Sequence, residues 1–215
     1  CGYYNKRSVI TQETLEEDTT SIIFNIFEGE KSLIERIDIL GNNITAESVI
    51  RGELVIDEGD PFTKLGLEKS IAELKARNIF KSVNYKVEDG SEKNLKRIKI
   101  NIEERPTGEI SAGAGIGTDG GRFAISIQEN NYLGEGKQLG FDLEVDKDSL
   151  AGTFSYNNPN YDFLGNSIFY SLRSEKNDVP TRGYENSIVS GAISTSFEQY
   201  RDINLNLGLS ASLDD

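Results

Sequence analysis

Thr107-Gly108-Glu109-Ile110-Ser111-Ala112-Gly113-Ala114-Gly115-Ile116-Gly117-Thr118 divides this chain into two styles of sequence. Within it, Ile110, Ala112, Ala114 and Ile116 alternate with Ser111, Gly113 and Gly115. Period two predicts a strand, because successive side chains point to opposite faces. This strand has one apolar face and one face with almost no side chain. Glycine inside a strand costs stability and often marks a place where another backbone comes close. A weakened strand between two architectures is where function is expected.

Downstream, one amphipathic strand follows another. After Gly120-Gly121, Phe123, Ile125 and Ile127 alternate with Ala124, Ser126 and Gln128. Asn130-Asn131-Tyr132-Leu133-Gly134-Glu135-Gly136 reads as a turn. Leu139, Phe141, Leu143 and Val145 then alternate with Gln138, Gly140, Asp142 and Glu144. Further strands are expected near 150–158, 166–175, 186–197 and 202–213, the last carrying Leu205, Leu207 and Leu209 against Asn204, Asn206 and Gly208. Two all-β readings fit. In a soluble sandwich the apolar faces pack on each other. In a membrane barrel they face lipid and the polar faces line a wet interior. Connections alternate short and long in this reading, with a long polar loop expected around Lys176 to Glu185. That is the outer-membrane pattern and favours the barrel.

Upstream, Ser32 to Arg105 reads as a complete α+β unit. Leu33 to Leu40 alternates around Ile34, Ile37 and Ile39, and Gly41-Asn42-Asn43 turns the chain. Thr45 is expected to cap a short helix containing Ala46, Val49 and Ile50. Thr63 is expected to cap a second helix running to about Asn78, with Leu67, Ile71 and Leu74 at helical spacing. Phe80 to Glu88 places Val83, Tyr85 and Val87 on one face of a strand, and Leu95 to Glu104 returns with Ile98, Ile100 and Ile102. Residues 1–31 read as the end of a preceding unit, with β-branched runs at Arg7–Leu15 and Thr20–Phe27 around an acidic turn, Glu16-Glu17-Asp18.

Composition narrows the function. The 215 residues carry a net charge of -13, the wrong sign for a nucleic-acid partner. There is no His, Met or Trp and one Cys, so no Ser-His or Cys-His pair, intramolecular disulfide or thiolate zinc cluster can be built. No apolar run is long enough for a transmembrane helix, which leaves a membrane barrel open. Paired acids at Glu16-Glu17, Asp57-Glu58 and Glu103-Glu104 lie in turns and at strand ends, where solvated charge is the expected reading. The chain opens on Cys1 without an apolar leader and reads as an internal piece. No catalytic residue, metal or cofactor is expected.

Several stretches resemble one family. Ile37-Asp38-Ile39-Leu40-Gly41-Asn42 resembles the first strand and Gly-Asn turn of a POTRA domain. Leu74-Lys75-Ala76-Arg77-Asn78-Ile79-Phe80-Lys81-Ser82-Val83 resembles that domain's helix-to-strand passage, with Asn78-Ile79 in place of the usual glycine and aromatic. Glu103-Glu104-Arg105-Pro106-Thr107-Gly108 resembles the passage from the last POTRA domain into a barrel. Asn131-Tyr132-Leu133-Gly134-Glu135-Gly136 and Asn158-Pro159-Asn160-Tyr161 are similar to early hairpins of BamA-type outer-membrane assembly proteins. Arg182-Gly183-Tyr184 looks like a late-loop signature of that family but lies too early and is read as coincidence.

The resemblance implies a fold and a set of sites. Residues 1–31 would close a preceding POTRA domain. Residues 32–105 would form a complete β-α-α-β-β POTRA domain. Residues 106–215 would supply the first six or seven antiparallel strands of a transmembrane β-barrel. It implies a non-enzymatic insertase of the outer membrane with periplasmic POTRA domains, which folds client proteins by strand templating at a weak seam. Gly108, Ile110, Ala112, Gly113, Ala114, Gly115, Ile116 and Gly117 would form the first strand of that lateral gate. Glu58 would contact a BamD-like lipoprotein partner. The strand with Phe80, Val83, Tyr85 and Val87 would offer an edge for augmentation. Unfolded outer-membrane clients and the lipid bilayer are the other implied partners. A TamA-like or two-partner secretion transporter, and a soluble periplasmic adhesin or binding module, are the alternatives.

Overall fold

Alternation, turns and caps place the elements within the chain. The computed structural model describes residues 6–16, 19–28, 31–117, 120–162, 164–179, 183–200 and 203–215. The readings at Glu17-Asp18, Thr118 and Arg182 lie outside these residues. The chain divides into two compact units, Cys1–Gly41 with Glu53–Glu103, and Asn42–Gly52 with Glu104–Asp215.

The first unit contains an antiparallel hairpin, β1 (Lys6–Glu16) and β2 (Thr19–Glu28). It also contains a three-stranded sheet ordered β3 (Leu33–Leu40), β5 (Leu95–Glu104), β4 (Phe80–Asp89), with β3 and β5 parallel. Helix α2 (Lys64–Ala76) starts where Thr63 accepts the Gly66 N–H at 3.1 Å. That cap satisfies one of the first turn's orphan donors, and Thr63→Ala is expected to lower stability by about 1 kcal/mol. The urea-unfolding midpoint of the periplasmic region checks it. The helix stops because Asn78 takes φ 57, the left-handed position that glycine usually fills and asparagine tolerates. Leu67, Ile71 and Leu74 are buried, as are Ile98, Ile100 and Ile102.

Two details of this unit depart from simple alternation. In β3, Ile34 and Ile37 are both buried although they lie three residues apart. The pairing with β5 shifts between Ile34 and Arg36, so Glu35 is the extra residue of a bulge that re-phases the strand. In β4, Val83 is buried but Tyr85 is exposed and Val87 is half-buried. The expected single apolar face therefore loses its cover after Val83. A strand alternates its faces but does not guarantee that each face has something packed on it.

The second unit contains α1 (Glu47–Gly52) and a seven-stranded antiparallel sheet. Its strands are β6 (Gly108–Gly117), β7 (Gly120–Tyr132), β8 (Lys137–Asp146), β9 (Ser149–Asn158), β10 (Ser167–Val179), β11 (Tyr184–Tyr200) and β12 (Ile203–Asp214). They pair in sequence order, so β6 and β12 are the sheet edges. Register decides the faces. Ile110, Ile127, Phe141, Phe154, Leu172, Gly191 and Ala211 form one line across all seven strands. The next line, on the other face, is Ser111, Ser126, Asp142, Thr153, Arg173, Ser190 and Ser212.

The apolar face is not a core. Phe123, Ile127, Phe141, Phe154, Leu172 and Ile193 are all exposed. Among the described residues Ala151 is the sheet's only buried apolar residue, and it lies on the polar face. A sandwich buries its apolar faces between two sheets. Among the described residues this sheet instead leaves one large apolar face exposed, as a lipid-facing barrel wall does.

The expected long loop at Lys176–Glu185 is also corrected. Lys176, Asn177 and Asp178 continue β10 and pair with Ser187, Asn186 and Glu185 of β11. An ion pair between Lys176 and Glu185 spans the hairpin. Polar side chains on both strands disguise strand as loop in the sequence, because alternation in hydropathy disappears where both faces are wet. Within the seven-stranded sheet the longest connection is instead residues 159–166, between β9 and β10.

Candidate strand edge and its anchoring turns

β6 combines two properties. Its outer edge has no strand partner among the described residues, and the strand is exposed along its whole length. Such an edge presents a row of backbone N–H and C=O groups that can pair with another strand. Gly113, Gly115 and Gly117 were expected either to weaken the strand or to relieve crowding. A Cβ built on any of the three meets nothing within 4 Å, and none of them has a positive φ. Neither steric room nor backbone conformation within this chain requires glycine there. What the glycines do is remove side-chain packing and raise the entropic cost of holding the strand.

The base of β6 is held firmly. The Thr107 hydroxyl donates to Glu129 Oε1 at 2.5 Å, and the Asn131 N–H donates to the same oxygen at 2.7 Å. The Asn130 N–H and side-chain amide both donate to the Thr107 carbonyl, at 3.2 and 3.3 Å. Polar contacts therefore gather at the start of β6, and the glycine half is left with its ladder to β7.

The turns at this end of the sheet carry the Asn42–Gly52 segment. Glu104, the last residue of β5, accepts the N–H groups of Asn43, Ile44 and Thr45 at 2.9, 2.9 and 2.6 Å. Burial is the largest single influence on its carboxyl and pushes the pKa up, but the bonds from the Thr45 hydroxyl and the three N–H groups outweigh it and hold the pKa below its ordinary value. Thr45 was expected to cap α1. Its buried hydroxyl instead accepts the Asn131 side-chain amide at 2.9 Å, so its side chain is taken up by the barrel turn. The Ala46 N–H donates to the Gly134 carbonyl at 2.8 Å. Gly134 has φ 74, and a Cβ there would run into the Ile44 carbonyl oxygen. Asn160, from the next turn at this end, donates its amide to the Gly52 carbonyl at 3.1 Å.

The other expected sites are placed as follows. Glu58 is exposed and accepts the Ile37 N–H at 3.0 Å, along the side of β3 that β5 does not occupy. The loop before α2 continues that cover, with Gly59 N–H donating to the Ile34 carbonyl at 2.7 Å and Ile34 N–H to the Asp60 carbonyl at 2.9 Å. β4, carrying Phe80, Val83, Tyr85 and Val87, is an edge strand of its sheet. The edge strands β4 and β6 belong to different compact units of the chain. Sequence reasoning missed Thr45, Glu104, Asn131 and Asn160 as a connected group. The repeated Asn-Tyr pair at 131–132 and 160–161 was the available signal.

The comparisons agree with this geometry. The POTRA family model, described as a surface antigen variable number repeat, matches residues 32–105. The outer membrane protein assembly factor BamA of Neorickettsia risticii is 30% identical over 200 residues, covering 90% of this chain and 26% of that protein. The BamA of Neisseria meningitidis is 26% identical over 215 residues, covering 99% of this chain and 26% of that protein. The chain thus spans about a quarter of the length of these curated relatives. The crystal structure of BamA from Haemophilus ducreyi lacking POTRA domains 1–3 superposes with a TM-score of 0.77 at 25% identity, covering 99% of this chain and 41% of that one. CdiB from Acinetobacter baumannii shares the fold, with a TM-score of 0.60 at 14% identity over 100% of this chain and 43% of that one.

A POTRA domain leading into the opening antiparallel strands of a transmembrane β-barrel is therefore what this sequence folds into. Over most of its length the chain is similar to the BamA outer-membrane assembly factors, and its POTRA domain lies in the periplasm with its sheet in the outer membrane. The exposed apolar face of the sheet is accordingly its lipid face, and the line through Asp142 and Arg173 faces the lumen.

Proposed function

We propose that the whole protein is a non-enzymatic assembly factor that folds client β-barrels into the outer membrane, with β6 as the strand edge that templates them. The observation that carries this reading is the glycine-rich β6 itself: within this chain Gly113, Gly115 and Gly117 meet no neighbour that requires glycine, so the strand lacks side-chain packing at three positions. Backbone pairing at such an edge is tolerant of client sequence, because the ladder uses main-chain groups common to every client. A strand rich in side-chain contacts would hold a closed seam and make exchange slow. Reconstituted in liposomes, the full-length protein is expected to speed the folding of an unfolded outer-membrane barrel by about tenfold or more, a change of about 1.4 kcal/mol in barrier. Export of a soluble passenger without any acceleration of barrel folding would sink the reading in favour of a secretion transporter.

Partner recruitment follows on the POTRA side. The Glu58 carboxylate accepts the Ile37 N–H and is exposed to solvent, a position from which its charge can be read by a BamD-like lipoprotein. Glu58→Gln keeps an acceptor for Ile37 and removes the charge. It is expected to leave folding unchanged and to weaken lipoprotein capture by roughly tenfold, the loss of one charge-assisted contact. Pull-down of the lipoprotein at low and moderate salt checks it. Unchanged capture at both salts would remove Glu58 from the interface. β4 offers a second backbone edge for augmentation, next to the exposed Tyr85.

A further inference from the structure

Alternation leaves the register of β6 under-determined. Its apolar residues Ile110, Ala112, Ala114 and Ile116 lie across from Ile127, Ile125, Phe123 and Gly121 of β7. A slip of one residue would swap the faces, but a slip of two keeps every apolar residue on its own face. Cross-strand side-chain pairs normally choose between such registers. Glycine and alanine supply much of β6, so here they choose weakly. The hairpin end adds little. Its last pairs are Ile116 with Gly121 and Gly117 with Gly120. A slip that paired Gly117 with Arg122 would only lengthen the connection to another common hairpin length.

The other end of the strand is where the registers differ. Glu129 lies opposite Gly108, just before the β7 bulge between Glu129 and Tyr132. Its half-buried carboxylate takes the Thr107 hydroxyl and the Asn131 N–H on one oxygen. The other oxygen lies against Gly108, where a Cβ would stand 3.2 Å from it. Gly113, Gly115 and Gly117 meet nothing, so Gly108 is the glycine of β6 that makes room for a neighbour. The ground behind Glu129 is fixed. Asn131 is buried, donates its amide to Thr45 at 2.9 Å and accepts the Gly136 N–H at 2.8 Å. A two-residue slip is opposed here in both directions. One direction puts Pro106, which has no N–H for the ladder, across from Glu129. The other puts Ile110 across from it and brings Glu109, a second carboxylate, to the place of the Thr107 hydroxyl.

We propose that Glu129 is a positioning residue that pins the register of β6 on β7 and thereby sets the height at which the β6 edge meets a client strand. The second half rests on β6 being the templating strand. A slip of two residues would move the edge by roughly 7 Å along the strand, a large step against an apolar barrel band about 25 Å tall. Client strands joined at that offset would enter the membrane out of line with it. A strand poor in side chains keeps its edge open to many clients, and one carboxylate at its base sets the register that those side chains would otherwise set.

The register is read by disulfide trapping in the full-length protein, with native cysteines replaced, reconstituted in phospholipid bilayers. Ala112→Cys with Ile125→Cys reports the observed register. Ala114→Cys with Ile125→Cys reports the register that brings Ile110 to Glu129. Residues directly opposite, at about 4.5–5.5 Å between Cα atoms, are within disulfide reach, and diagonal neighbours at about 7–8 Å are not. In the parent and in Glu129→Gln, which keeps the acceptor, the pair at 112 and 125 is expected to dominate. In Glu129→Ala the share of the pair at 114 and 125 is expected to rise about tenfold, from loss of the bonds to the carboxylate. The parent ratio in Glu129→Ala overturns the pin, and so does an equal rise in Glu129→Gln. If Glu129→Ala does not fold, Thr107→Val removes the donor from the other side and is read in the same way. Client folding is measured on the same variants without the paired cysteines. A shifted register with client folding at the parent rate would leave the pin standing and overturn the height it sets, and templating at β6 with it. An unshifted register overturns the pin and leaves templating untouched.

Discussion

A disulfide between Gly113→Cys and a cysteine on the closing strand of the full-length barrel is expected to stop client assembly, and reduction is expected to restore it. Within this chain nothing lies within 4 Å of the Gly113 Cβ position, so a cysteine there does not disturb β6 or its pairing with β7. Folding of the locked protein should therefore be normal, and loss of activity reports the seam alone. The expected fall in client folding rate is about 100-fold, or about 2.7 kcal/mol of barrier. A locked protein that assembles clients at the unlocked rate would refute the gate. A graded companion is Gly113→Val with Gly115→Val. Valine favours the strand over glycine by up to about 1 kcal/mol per position. The double variant should slow assembly while raising the resistance of β6 to hydrogen exchange, and that opposition of signs separates a gate from a strand that is merely important for folding.

Removing the Glu104 carboxylate is expected to release the Asn42–Gly52 segment from the barrel turns. Glu104→Ala leaves the N–H groups of Asn43, Ile44 and Thr45 without their acceptor. Bonds to a charged group contribute about 1.5–3 kcal/mol each when desolvated, and part exposure of Glu104 lowers that, so a total of about 3 kcal/mol is expected. Hydrogen exchange over residues 42–52 and the 131–136 turn measures it. The pH dependence has a definite sign. Glu104 is held below its ordinary value, so its contribution is complete above about pH 4.3, where the unfolded group is ionised, and is lost as pH falls through the lower folded value. Protection of the segment should fall with acid in the parent protein. In Glu104→Gln it should start lower and stay flat through that range. Equal acid sensitivity in both would assign the transition to another group.

The seven-stranded sheet shows how far alternation carries and where it stops. Ile110, Phe123, Phe141 and Leu205 announce their strands and their shared face, because period two is a local property of the backbone. Lys176-Asn177-Asp178 do not, because both faces of the hairpin are polar there. Tyr132 and Tyr200 mislead, since their parity in the sequence is reversed by bulges that no hydropathy pattern records. In the POTRA domain, Thr63 and Asn78 act on their own helix and are readable as its start and stop signals. Thr45 carries the same kind of signal as Thr63, yet its hydroxyl serves Asn131, 86 positions away.

The sequence by itself determined the order of elements, the α+β unit followed by amphipathic strands, and the glycine-weakened strand at their junction. These follow from spacing and local backbone preference, which act over a few residues. Only the tertiary structure decided that the apolar face is exposed among the described residues, that Gly113, Gly115 and Gly117 meet no neighbour within this chain, and that Glu104, Thr45 and Asn131 join one element to another. Those facts depend on which distant residues meet, and a local pattern does not contain the pairing that brings them together.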